Sequence, residues 1–164
     1  MVDYSELLKR LGEEGNAPVE KLGIGDICYL HDKGVEVAGG SLGIRDQGLL
    51  VSVTEAPYGE YFGQEIYPSV FDKAAKYLFD FSNYQIFVDG NKRTGVTSCL
   101  FFLTMNGYSL NLSPEKAYEL VLDIANHKYK DSFEIAPIIK DNVSFIKEQD
   151  KERLLGELFN NLFR

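Results

Sequence analysis

A polar, glycine-containing loop runs directly into a very apolar segment, and this junction constrains the fold strongly. The loop is Asp89-Gly90-Asn91-Lys92-Arg93-Thr94-Gly95, and the apolar segment covers residues 96–105. A segment that is apolar nearly all round predicts a central, buried helix. The loop is then either a polar turn that caps this helix or an anion site. An anion is favoured there because N–H groups at a helix start have no intrahelical partner and the helix dipole attracts negative charge.

The residue types in the loop favour phosphate as the anion. Lys92 and Arg93 add full positive charges, and an arginine can hold phosphate through two parallel hydrogen bonds. Asp89 offers the hard oxygen ligand that a nucleotide-bound Mg²⁺ prefers. The loop therefore predicts a site for a nucleotide and its metal ion.

This stretch resembles the signature of the Fic/Doc family, in its death-on-curing branch. The family pattern is His-x-Phe-x-(Asp/Asn)-(Gly/Ala)-Asn-Lys-Arg-Thr, and residues 87–94 match it in order and spacing. Further similar landmarks are His31-Asp32, Gly39-Gly40, Pro57, Phe62-Gly63, Tyr67-Pro68, Lys73-Ala74-Ala75 and Asn106-Gly107-Tyr108. The similar region is about residues 23–146, which leaves residues 1–22 and 147–164 as helical extensions of one globular unit.

The resemblance implies an all-α, compact helical bundle with a buried central helix and a small β-hairpin flap. In the family the flap aligns the main chain of a target protein, and residues 57–64 occupy that place here. Pairing of a bound peptide with an exposed strand edge is one physical means of alignment. A plain loop is the alternative structure for this stretch.

The resemblance also implies a reaction. A phosphoryl or nucleotidyl (AMP) group would pass from ATP, or another nucleoside triphosphate, to a serine, threonine or tyrosine hydroxyl of a target protein. Asp89 would hold Mg²⁺, and the phosphates would be bound by the side chains or backbone of Gly90, Asn91, Lys92, Arg93, Thr94 and Gly95. Nucleotidyl-transferring members usually carry glycine at the position of Lys92, which favours phosphorylation. A toxin of this branch would also have an antitoxin peptide as its partner.

One departure from the family bears on catalysis, because Gln85 occupies the position of the family's general-base histidine. A glutamine amide does not titrate near neutral pH and cannot take a proton from a target hydroxyl. General-base assistance contributes roughly 10²–10⁴ in rate, so its loss predicts a severely impaired enzyme. Glutamine here fits both a natural loss and a replacement that silences a toxin. The alternative to an enzyme is an inactive nucleotide- or protein-binding module.

Composition narrows the partners and the compartment. The 164 residues are 45% hydrophobic and 26% charged, as in an ordinary soluble domain, and the net charge of −8 argues against nucleic acid as a partner. No apolar run reaches the roughly 18 residues of a membrane span, and the acidic start lacks a signal-peptide core. Cys28 and Cys99 form no disulfide framework, which predicts free thiols in a cytoplasmic protein.

Hydrophobic periodicity and capping signals place the other elements. His31 is expected to fix the first family helix by a hydrogen bond, and His127 to cap a helix at the surface. Helices are predicted at residues 4–13, 26–37, 46–53, 67–83, 96–105, 114–125, 132–147 and 151–163.

Overall fold

The computed structural model describes residues 19–164, so the helix predicted at residues 4–13 lies outside the described part of the chain. The described residues form a mostly helical fold with two small antiparallel sheets, which confirms the predicted class. The α-helices are α1 (Ile24–Ala38), α2 (Gln47–Glu55), α3 (Val70–Asn83), α4 (Asn91–Met105), α5 (Pro114–Ala125), α6 (Ala136–Lys140) and α7 (Glu148–Phe163). The strands are β1 (Glu60–Tyr61), β2 (Gln64–Glu65), β3 (Tyr108–Leu110) and β4 (Val143–Phe145).

Helix α4 lies at the centre of the fold, as its apolar sequence predicts. Phe102 and Leu103 have no exposed surface. The helix begins at Asn91 rather than at residue 96, so the polar loop residues form its first turn. Gly95 allows α4 to approach α3 closely, because a β-carbon built there would lie 3.1 Å from Cβ of Phe81 and 3.3 Å from the carbonyl oxygen of Leu78.

Serine caps start two of the helices that surround α4. The Ser69 hydroxyl accepts a hydrogen bond from the N–H of Asp72, and the Asp72 carboxylate accepts one in return from the N–H of Ser69. This capping box starts α3 at Val70 rather than at the predicted residue 67. The Ser113 hydroxyl caps α5 by accepting a hydrogen bond from the N–H of Lys116, with Pro114 at the first helical position as predicted.

Strands β1 and β2 form the predicted hairpin flap, with Tyr61 paired to Gln64. Phe62 and Gly63 make the turn with φ of +50° and +76°, and positive φ at both positions is typical of a type I′ hairpin turn. The buried ammonium group of Lys73 fastens the flap to α3. It donates hydrogen bonds to Oε1 of Glu65, at 3.0 Å, and to the carbonyl oxygen of Tyr67.

The prediction of one helix at residues 132–147 is wrong. A 3₁₀ turn at Ser132–Glu134 leads into the five-residue helix α6, and the chain then turns into β4. Strand β4 pairs with β3, so that Leu110 lies opposite Val143. This pairing joins segments that are distant in sequence, and local periodicity carries no signal for it.

The remaining predictions concern the thiols, the chain's end and membrane crossing. Both cysteines are free; Cys99 is fully buried and Cys28 is half-buried. Helix α7 begins at Glu148, earlier than the predicted residue 151. Within residues 19–164, no helix is both long enough and apolar enough to traverse a bilayer.

Candidate functional site

The loop between α3 and α4 is held in place by contacts within the protein itself. Phe87 is buried, and it forms an antiparallel bridge with Ile44 of the glycine-containing segment before α2. The N–H of Val88 donates to the carbonyl oxygen of Gly43 at 3.0 Å, and the N–H of Arg45 donates to that of Ile86 at 2.8 Å. The candidate site is therefore built on a loop that is hydrogen-bonded to the segment before α2.

Asn91 closes this loop onto the start of α4. Its Oδ1 accepts hydrogen bonds from the N–H groups of Ile86, at 3.2 Å, and Phe87, at 2.8 Å. Its Nδ2 donates to the carbonyl oxygen of Phe87 at 3.0 Å. Because the side chain is 8% exposed and its groups already have partners, Asn91 shapes the loop rather than offering free groups to phosphate.

The Asp89 carboxylate is exposed and held by backbone N–H groups. Oδ1 accepts from the N–H of Gly90 at 2.7 Å, and Oδ2 lies 3.4 Å from the N atom of Ser41. Gly40 passes so close that a β-carbon built there would lie 2.6 Å from Oδ2 of Asp89. The carboxylate therefore has one favoured position, set by the loop after α1.

The structure provides one acidic ligand at this site rather than a closed metal cage. No group of three or more His, Cys, Asp or Glu side chains within residues 19–164 could hold a metal ion. Mg²⁺ commonly binds through one or two carboxylates, with substrate phosphates and water completing its octahedron. A single, preoriented Asp89 fits a metal ion that arrives with a nucleotide.

The two cations of the motif lie beside Asp89 but differ in their surroundings. Lys92 is half-buried at the wall of a cavity. Arg93 is exposed, and its Nη1 donates to the carbonyl oxygen of Gly34 in α1 at 3.1 Å. This contact leaves the other guanidinium N–H groups available for an anion, because an arginine has five donors.

Thr94 and Gly95 face the protein interior. The Thr94 hydroxyl is buried and donates to the carbonyl oxygen of Gly90 at 2.8 Å. Gly95 packs against α3, as described above, and neither residue lines the cavity. Their predicted contact with nucleotide stays a prediction, and the structure assigns both of them packing contacts.

Gln85 lines a cavity together with Asp89. Its side chain is exposed, and Oε1 lies 3.5 Å from Nδ2 of Asn91, a long hydrogen bond. Position 85 therefore faces the candidate site while contributing little to the packing of the fold.

A cavity of about 600 Å³ extends from these polar groups into the bundle. Gln85 and residues 88–93 form its polar part, and its other walls come from α4, the β3–α5 segment, α5 and α7. The wall residues are Val96, Leu100, Leu110, Leu112, Pro114, Ala117, Tyr118, Val121 and Leu162. The motif gave no indication of these residues, because three separate elements bring them to α4.

This cavity has the general features of a small-ligand pocket. Charged and N–H groups lie at one end and apolar side chains at the other, as small-ligand pockets generally have. The volume also falls in the usual range of about 300–1,000 Å³ for such pockets.

Comparison with known proteins agrees with the motif. The sequence model of the Fic/DOC family matches residues 21–103. The chain belongs to the Fic/DOC family. Toxin Doc of Mycolicibacterium smegmatis is 36% identical to this Fic/DOC protein over 89 residues, which cover 53% of this chain and 68% of that toxin. Protein kinase doc of Escherichia phage P1 is 34% identical over 92 residues, which cover 56% and 72% of the respective chains.

The family match confirms the resemblance seen in the motif. Phe87 and residues 89–94 all lie inside the matched region, as do His31 and the hairpin flap. The predicted domain boundaries at residues 22/23 and 146/147 stay predictions.

Proposed function

We propose that this Fic/DOC protein is a Doc-type toxin that transfers a phosphoryl group from a nucleoside triphosphate to a protein hydroxyl. The observation that carries the proposal is the placement of Asp89, Lys92 and Arg93 around the start of α4, where they line a cavity whose other walls are mostly apolar. The name of the phage P1 relative, protein kinase doc, supports phosphoryl rather than AMP transfer. Lys92 supports the same choice, as argued from the motif.

The phosphates would bind at the polar end of the cavity. Lys92, Arg93 and the free N–H groups at the start of α4 would neutralise them, while the apolar walls would enclose the base and sugar. Asp89 would hold Mg²⁺, and the metal ion would offset the charge that develops on the phosphate oxygens during transfer.

Gln85 limits the chemistry that the chain can perform. An amide at the position of the general base can orient a hydroxyl through hydrogen bonds but cannot accept its proton. We therefore expect the protein to bind Mg·ATP and to transfer its phosphate slowly.

The flap is the surface proposed for the target and for an antitoxin peptide. Its tip presents Tyr61, 69% exposed, and Phe62, 89% exposed, with ring centroids 4.5 Å apart. Exposed aromatic side chains are typical anchors of protein interfaces. Phe62 also holds a positive φ, an unfavourable conformation for a bulky residue that often marks function.

Calorimetric titration of the purified protein with Mg·ATP tests the binding step. We expect saturable binding, and in Asp89→Asn a loss of most of the affinity that Mg²⁺ adds, because the amide has no negative charge. Glu60→Gln, which removes an equally exposed carboxylate from the flap, is the matched control and should bind like the wild type. Absence of binding to the folded wild-type protein would refute the proposal.

An inactive binding module is the second candidate function. It is favoured by one observation, namely that Gln85 replaces the base while the loop that holds Asp89 is fully formed. This candidate predicts the same nucleotide binding but no transfer even after histidine is restored at position 85.

A further inference from the structure

We infer that His31 of α1 is a positioning residue that sets the place of Asp89 and thereby the affinity for metal-bound nucleotide. The inference deepens the proposed function, because it rests on Asp89 as the metal ligand. Its basis is a group of contacts between one buried imidazole and the motif loop, 56 to 59 residues further along the chain.

The first contact is a hydrogen bond to the main chain of the metal ligand itself. Nε2 of His31 lies 2.7 Å from the carbonyl oxygen of Asp89. A carbonyl oxygen can only accept, so Nε2 carries a proton in this arrangement. The ring is 2% exposed, which shields this bond from competition with water.

The other contacts lie on either side of Asp89. The imidazole stacks on the ring of Phe87, with centroids 3.7 Å apart and planes within 9°. Beyond Asp89, a β-carbon built on Gly90 would lie 3.6 Å from both Cδ2 and Nε2 of His31. His31 therefore touches the loop before, at and after the metal ligand.

The orientation of the imidazole is fixed from its opposite side. Nδ1 lies 2.9 Å from Oδ1 of Asp32, the next residue of α1, and because a carboxylate oxygen only accepts, Nδ1 is the donor of this contact. Asp32 is exposed at the surface, whereas His31 is buried and does not line the cavity. His31 thus cannot touch the substrate, and it acts through Asp89.

Histidine provides both contacts at this position, the N–H donor to the Asp89 carbonyl and the ring that stacks on Phe87. Phenylalanine would keep the stack on Phe87 but leave the Asp89 carbonyl without its donor. Glutamine would keep an N–H donor but lose the stack. Mg²⁺ tolerates little error in its ligand distances, near 2.0–2.1 Å, so a small shift of the Asp89 backbone weakens the metal contact directly.

The test compares His31→Phe and His31→Gln with the wild type by calorimetry, using ATP with Mg²⁺ and ATP with EDTA. We expect His31→Phe to weaken Mg·ATP binding about tenfold or more and to change metal-free ATP binding by less than about twofold. His31→Gln should recover part of the loss. His127→Asn is the control, because His127 is exposed and its φ of +60° suits asparagine.

Several outcomes would overturn the inference, and they separate it from the proposed function. Equal weakening of both titrations in a folded His31→Phe would indicate a general structural role. Unchanged Mg·ATP binding would remove the positioning role while leaving the proposed function intact. Failure of the wild-type protein to bind Mg·ATP would refute the proposed function and the positioning role together.

An NMR experiment on the wild-type protein keeps the inference testable if the variants do not fold. The chain has two histidines, so a long-range ¹H–¹⁵N spectrum of the imidazoles is readily assigned with His127→Asn. We expect Nε2 of His31 to be protonated and its signal to shift with Mg·ATP more than with metal-free ATP. An unprotonated Nε2, or equal shifts, would contradict the inference.

Discussion

Replacing Gly40 by alanine should displace the carboxylate of Asp89 without changing any residue of the motif. Gly40 has a φ of +112°, and a β-carbon there would lie 2.6 Å from Oδ2 and 3.1 Å from Cγ of Asp89. Carbon and oxygen atoms that are not bonded do not approach to 2.6 Å, so the Asp89 carboxylate must rotate or the loop must move. Either change removes the contact between Oδ2 and the N–H of Ser41.

The Gly40→Ala substitution should have two energetic effects, a loss of folding stability through the backbone and a loss of Mg·ATP affinity through Asp89. A positive φ costs an L-residue about 1–2 kcal/mol, and this strain lowers the stability of the folded protein. A charge-assisted interaction that is lost or misplaced costs about 1.5–3 kcal/mol. If the metal contact bears that second cost, Mg·ATP affinity should fall roughly ten- to a hundredfold.

Gly39→Ala provides a matched control for the backbone part. Its φ is +83°, but a β-carbon there would meet no atom of the described residues 19–164 within 4 Å. We expect Gly39→Ala to lower the thermal midpoint through backbone strain alone, Gly40→Ala to lower it by at least as much, and only Gly40→Ala to weaken Mg·ATP binding in calorimetry. Equal losses of affinity in the two variants would refute the steric argument, as would wild-type binding by Gly40→Ala.

Four further predictions follow from individual side chains. Gln85→His should raise transfer from labelled ATP to lysate proteins by roughly 10²–10⁴, since it restores a general base; a folded variant that binds nucleotide but labels nothing would favour the binding module. Arg93→Ala should lower nucleotide affinity about tenfold and, through its lost bond to α1, destabilise the fold by about 1 kcal/mol, both measurable by calorimetry; unchanged affinity would refute its role in binding. Lys73→Met keeps the buried stem but frees the flap, so amide exchange of residues 60–65 should accelerate about tenfold, and exchange at wild-type rates would show that the ion pair does not hold the flap. Burial raises the pKa of the Cys99 thiol to about 12, so a disulfide reagent at about pH 8 should modify it only as the protein unfolds; rapid modification of native protein would contradict its burial.

Sequence patterns predicted the helices that carry their own local signals. Ser113 and Pro114 mark the start of α5 and the apolar run marks α4, because capping and periodicity are properties of neighbouring residues. The pairing of β3 with β4 was missed, because Val143 acquires its partner Leu110 from a distant part of the chain. The hairpin flap was predicted through the family resemblance rather than through residue periodicity.

The residue types of the candidate site could be predicted from the sequence. Which polar side chains bind the loop backbone could not. The charges of Asp89, Lys92 and Arg93 predicted that they share one site, and all three line the same cavity, while their predicted roles stay predictions. Asn91 belongs to the same motif, yet its side chain binds the loop backbone, and Thr94 donates to Gly90. Which polar side chain faces inward depends on the loop conformation, and residue type alone does not determine it.

Because Gln85 is exposed, a substitution there can change activity while leaving the stability of the fold nearly unchanged. Surface substitutions that break no buried contact usually change stability by less than about 0.5 kcal/mol. Within residues 19–164, Gln85 has one long hydrogen bond to the rest of the protein, so a lineage could lose or regain a general base there in a single substitution while the fold stays intact. Under the proposed function, such a chain could therefore pass between an active and an inactive form without a destabilised intermediate.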